Sequence, residues 1–68
     1  MINKVKELRE LYGLTQGQLG EKVNVSRQAI NAIEKNKFDP SIWLAYDLAR
    51  LFNKSMEEVF DFERSKRK

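Results

Sequence analysis

Residues 15–34 read TQGQLGEKVNVSRQAINAIE, and this stretch decides the fold. It holds two short segments of helical spacing, separated by about three residues that stop the first and start the second. Thr15 offers its hydroxyl to an amide that has no partner within the first helix. Leu19 and Val23 follow, four apart on one face, the burial face. Asn24 ends this helix, because asparagine tolerates the left-handed conformation that a helix end often needs. Val25 is the apolar plug of the turn, and Ser26 caps the second helix. Ile30 and Ile33, three apart, are the inward residues of that helix.

This register leaves Arg27, Gln28 and Asn31 off the apolar stripe, near the helix start and facing out. Arginine can bond guanine O6 and N7 in a bidentate way, and glutamine or asparagine can do the same to adenine N6 and N7. Alone, such residues read as a solvated face, the common fate of polar side chains. On the second of two short helices joined by a tight turn, they have the placement of a helix-turn-helix, whose second helix lies in a DNA major groove. Gly20 fits the same picture from the packing side. A glycine inside a helix costs about 1 kcal/mol relative to alanine, and its presence is explained if the second helix crosses too closely for a side chain. The spacing gives Gly17 no such role; it only weakens an exposed first turn.

The chain resembles the Cro/C1-type helix-turn-helix family, or XRE family, of phage and prokaryotic transcription regulators, and within it the small single-domain repressors. Leu14-Thr15-Gln16, Leu19, Val25-Ser26, Gln28, Ile30, Ile33-Glu34 and Pro40-Ser41 carry the resemblance, which spans about residues 5–60. It implies an all-α, compact five-helix, lambda-repressor-like DNA-binding domain. It also implies base contacts by Arg27, Gln28 and Asn31, and phosphate contacts by Gln16, Ser26, Lys35, Asn36 and Lys37. For Lys35 and Lys37 plain solvation stays an open alternative. Arg9 and Glu34 match a pair that forms an ion bridge between the first helix and the reading helix, so both are assigned to structure. Two features depart from the pattern: Asn24 and Asn36 stand where glycine is frequent, and Gly20 stands where alanine is usual.

Around this unit, a first helix is expected over about residues 3–12, with Asn3 as cap, Val5, Leu8 and Tyr12 inward, Leu11 beside them, and Gly13 as terminator. A fourth helix follows Pro40-Ser41, since proline disfavours helical geometry at Asp39. Ile42, Ala45, Leu48, Ala49 and Phe52 make its expected buried stripe. Ser55-Met56-Glu57-Glu58 is a capping box that opens a short fifth helix, with Met56, Val59 and Phe60 closing the core. From Phe60 to Arg64 apolar and polar residues alternate, which is strand periodicity. A short C-terminal strand pairing with the N-terminal end or another subunit is one reading; continuation of the fifth helix or an irregular end is the other.

Trp43 and Tyr46 lie three apart, off the expected stripe of the fourth helix. Aromatics on an outer face suggest a contact surface, here a twofold homodimer interface that also involves Phe62. The competing reading folds one of them onto the rim of the core.

Sixty-eight residues allow one domain with one small core. The expected bounds are residues 1–63 for the domain, about 15–35 for the motif, and 64–68 for a basic tail. The chain has neither cysteine nor histidine, which excludes disulfides, cysteine-based zinc sites and imidazole catalysis. No apolar run approaches the roughly 20 residues of a membrane span, and the N-terminus lacks the pattern of a signal peptide. The net charge of +3 comes from the tail, which holds four of the 13 basic residues; without it, nine face ten acidic ones. Nucleic-acid binding is thus argued from placement rather than bulk basicity, and the tail is either an extra phosphate attractor or a solubilising end.

These features together describe a cytoplasmic, homodimeric, sequence-specific double-stranded DNA-binding regulator, more a repressor than an activator, acting on an inverted repeat. No cofactor, metal, membrane or small-molecule ligand is expected. The alternatives are a protein-binding module on the same fold, such as an antitoxin, and a small enzyme. The latter is disfavoured because no nucleophile has a plausible base and no glycine loop suits phosphate.

Overall fold

The computed structural model describes residues 1–65, which form five helices: α1 (Val5–Leu11), α2 (Gln16–Val23), α3 (Arg27–Glu34), α4 (Ile42–Leu51) and α5 (Met56–Val59). Side chains close the N-termini of four of them. Thr15, Ser26, Ser41 and Ser55 each accept a hydrogen bond from the amide three residues on. In α2 and α5 the bond is reciprocal, since the side chains of Gln18 and Glu58 accept from the cap amides of Thr15 and Ser55. These pairings satisfy amides that would otherwise have no partner in the first turn.

The helix ends follow a second common rule. Gly13, Asn36 and Asn53 adopt positive φ just past α1, α3 and α4. At each, paired backbone bonds close the last turn: Leu14 N to Arg9 O, Lys37 N to Ala32 O, and Lys54 N to Ala49 O are the outer ones. This is the Schellman arrangement, which glycine and asparagine accommodate because the left-handed region costs them least. Asn24 does the same work for α2 at φ 63°.

The core lies between all five helices, with Val5, Leu19, Ile30, Ile33, Leu48, Phe52, Val59 and Phe60 almost wholly excluded from solvent. Burying a side chain of this size stabilises by about 1.5–3 kcal/mol, so these few contacts carry the fold.

Four expectations need correction. Ile42 is not part of the α4 stripe: it is 71% exposed, and Leu44 takes the buried place. Side chains tilt toward a helix N-terminus, so Ile42, the first residue of α4, projects past the edge of the core. Leu11 is 78% exposed. At about 100° per residue, it falls well round the helix from Val5. Tyr12 keeps contact by leaning its ring edge on Phe52 and donating its hydroxyl to the Phe52 carbonyl at 2.9 Å. Asn3 precedes the cap position, which is Lys4, although Asn3 Oδ1 still accepts from the Val5 amide at 3.0 Å. Finally, residues 60–64 form no strand. A single antiparallel bridge joins Phe60 to Asn3, and the chain then turns, because Asp61 Oδ1 takes up the Arg64 amide at 2.9 Å and satisfies the backbone locally. Of the expected tail, residues 66–68 lie outside the described residues.

Candidate nucleic-acid interface

The motif is held by an unusually close turn. A Cβ built on Gly20 would stand 2.5 Å from the Val25 carbonyl oxygen and 3.3 Å from the Ser26 carbonyl. The constraint expected from a crossing helix is thus set by the turn that leads into α3. It brings α3 directly across α2, with Leu19 and Ile30 buried between them. Gly17 has only Thr15 Oγ1 near it, at 3.9 Å, and nothing in the packing requires glycine there.

Burial of Ile30 and Ile33 fixes the rotation of α3. Its opposite side presents Arg27 and Gln28 to solvent, with Asn31 half-buried beside them. Arg27 and Asn31 lie four apart and Gln28 and Asn31 three apart, so all three share a face. Together with Gln16 at the start of α2 they line an open depression of about 320 Å³. Ser26, Lys35, Asn36 and Lys37 are exposed at the two ends of α3. Of the expected base-reading and phosphate-contacting groups, the structure thus brings Gln16, Arg27, Gln28 and Asn31 together.

Beneath this face runs a chain of polar contacts. Arg9 on α1 donates from Nε to Glu34 Oε2 at 2.7 Å and from Nη2 to Oε1 at 3.3 Å, and its Nη1 holds the Leu14 carbonyl at 2.8 Å. The Glu34 side chain is only 4% exposed. The guanidinium is pushed above its ordinary range, chiefly by the hydrogen bond to Glu34, so its charge is secure. Gln16 Nε2 donates to Glu34 Oε1 at 3.0 Å, and Asn31 Nδ2 reaches Gln16 Oε1 at 3.5 Å. Gln16 is thus turned partly inward, a placement its sequence position did not reveal.

Asn3 has a role that sequence spacing also missed. Its Nδ2 donates to the Ile33 carbonyl at 2.9 Å and to Asn36 Oδ1 at 3.3 Å, tying the N-terminal segment to the end of α3. No sequence signal links positions 3 and 36; only the folded path brings them together.

The expected dimer residues lie elsewhere. Trp43 is 73% exposed on α4, and its ring meets Tyr46 edge-on at 6.2 Å. Arg50 sits 5.8 Å from the centre of the Tyr46 ring and donates to its hydroxyl at 3.1 Å. Phe62, also exposed, lies on the turn after α5. Neither Trp43 nor Tyr46 is buried on the rim of the core.

Among the described residues no cluster of acidic groups could hold a metal ion, and no helix is long and apolar enough to cross a membrane.

An exposed polar helix braced by a partner of equal length, against a turn that leaves no room for a side chain at Gly20, defines the helix-turn-helix class. The helix-turn-helix family profile matches residues 5–59. An uncharacterized HTH-type transcriptional regulator of Methanocaldococcus jannaschii is 49% identical over 63 residues, covering 93% of this chain and 96% of its own. One from Bacillus subtilis is also 49% identical, with the same coverage. One from Archaeoglobus fulgidus is 44% identical, covering 93% of this chain and 90% of its own. The chain belongs to the Cro/C1-type, or XRE, helix-turn-helix family.

Proposed function

We propose that this protein is a cytoplasmic regulator of transcription that binds double-stranded DNA sequence-specifically as a homodimer, and acts as a repressor by occupying promoter DNA. One observation carries the reading: both inward isoleucines of α3 are buried, which turns Arg27, Gln28 and Asn31 toward the outer side of the helix. Arg27 and Gln28 have the length and donor pattern to reach base edges. Ser26, Lys35, Asn36 and Lys37 flank them where phosphates would run, and the amide hydrogen of Gln16 not taken by Glu34 is available to another. The family, and relatives named as HTH-type transcriptional regulators, support the same reading.

A twofold dimer through Trp43, Tyr46 and Phe62 would present two reading helices. It would require an inverted repeat with half-sites about 34 Å apart, one helical turn. The exposed aromatic pair also favours a second reading, an antitoxin-like module in which Trp43 and Tyr46 hold a partner protein.

Titration with labelled duplexes selected from a random pool tests the choice. Specific binding should weaken steeply with salt and vanish in an Arg27→Ala/Gln28→Ala variant that still folds. Absence of any sequence preference, with a partner protein captured instead, would overturn the proposal in favour of the second reading.

A further inference from the structure

Asn3 is held at both polar atoms of its side chain. Its Oδ1 accepts from the Val5 amide at 3.0 Å, and its Nδ2 donates to the carbonyls of Met1 and Ile33, each at 2.9 Å. These partners are backbone groups of fixed polarity, so the amide admits one orientation only. Both of its hydrogens are used inside the protein, and none is left for a phosphate. The backbone of Asn3 is held as well, in the antiparallel bridge to the fully buried Phe60. Asn3 thus joins an anchored part of the fold to the last turn of α3, where the Ile33 carbonyl also accepts from the Asn36 amide at 3.1 Å. The exposed Lys35 and Lys37 flank that asparagine.

We infer that Asn3 is a positioning residue for DNA binding: by gripping the Ile33 carbonyl it sets the direction in which the chain leaves α3, and with it the place of Lys35 and Lys37 on the phosphate backbone. The inference rests on the DNA-binding reading above. The left-handed Asn36 closes the end of α3 from within, through the bond from Lys37 N to Ala32 O at 2.9 Å. Asn3 closes the same turn from outside, from a segment 30 residues away in sequence. A loop fixed in this way before DNA arrives loses less freedom on binding. Phosphates carry no sequence information, so the gain is the same on every duplex.

The experiment measures affinity for the selected duplex and for an unrelated one across a range of salt, using the full chain, Asn3→Ser, Lys35→Ala/Lys37→Ala and the three changes combined. Serine keeps a hydroxyl for the Val5 amide, ends one bond short of the atom that holds Ile33, and adds no charge. Thermal unfolding checks that each variant folds. Asn3→Ser should weaken binding to both duplexes by the same factor and lower the salt slope by about one per protomer. With both lysines already changed, Asn3→Ser should alter neither affinity nor slope further. A loss of stability with an unchanged slope, measured well below the melting temperature, would reduce Asn3 to a structural role and overturn the inference. So would an undiminished effect of Asn3→Ser without the lysines, or a slope that the two lysine changes leave untouched. Spin relaxation of the free wild type tests the same point without a variant. The amides of residues 35–37 should be as ordered as α3, with order parameters of about 0.85, and values below about 0.6 would overturn the inference. A wild type that binds no duplex at any salt would defeat the DNA-binding proposal itself, an outcome distinct from the others.

Discussion

Helices α3 and α4 each bury one side and expose the other, but their exposed sides differ in kind. On α3 the outward residues are Arg27 and Gln28, with Asn31 between them and the core. On α4 they include Ile42, Trp43 and Tyr46, all large and largely apolar. Polar groups facing water cost nothing and stay available to a polar partner. Large apolar groups facing water lose the hydrophobic stabilisation that burial would give. The first surface suits a ligand that offers hydrogen bonds and charge; the second suits a packed protein contact.

The sharpest way to break this contrast compares two isoleucines. Ile30→Ala should cost about 2–5 kcal/mol in denaturant unfolding, as a fully buried position does. Ile42→Ala should stay within about 0.5 kcal/mol in the monomer, as exposed positions do. Equal losses would mean that α4 is rotated from the position described. The next effect concerns binding. Arg27→Ala should weaken specific duplex binding by about 1–3 kcal/mol and leave the melting temperature unchanged; a variant that unfolds would place Arg27 on the buried side. On α4, Trp43→Ala should shift a dimer toward monomer in sedimentation without disturbing the fold. Unchanged sedimentation would remove that face from the interface.

The smallest effect separates the two capping boxes. In α2 the returning side chain is the neutral Gln18, whereas in α5 it is Glu58. The backbone hydrogen bond from Ser55, followed by its side-chain bond, holds the Glu58 carboxyl below the ordinary glutamate range. A carboxyl lowered on folding stabilises above its unfolded value, and that contribution is lost as pH falls through the lowered folded value. Stability measured from neutral pH down into the acid range should therefore fall less in Glu58→Gln than in the wild type. Parallel pH profiles would show that the α5 box adds nothing.

The same contrast explains what the sequence could and could not disclose. In α3 only Ile30 and Ile33, with small Ala29 and Ala32, compete for the inward side, so period and register are unambiguous. In α4, IWLAYDLARL is apolar at nearly every position, so several stripes fit and the choice of Ile42 over Leu44 had no local signal against it. The caps of α2 and α5 were readable because serine and threonine act through bonds only three residues long. The alternation after Phe60 misled because Asp61 closes a turn with its own side chain. Within the candidate site, outward placement of Arg27 and Gln28 was legible from spacing. The inward turn of Gln16 toward Glu34 was not, since it depends on contacts across three helices.

The Asn3–Phe60 bridge has a kinetic corollary. Lys4 N donates to the Val59 carbonyl and Asp61 N to the Ile2 carbonyl, each at 2.8 Å. These bonds span almost the whole sequence, so the loops they close are among the longest in the molecule and the most expensive in chain entropy. They should form late in folding. In deuterium exchange, the Lys4 and Asp61 amides should therefore open more readily than those of the buried turns of α3 and α4, marking this clasp as a unit of lower local stability.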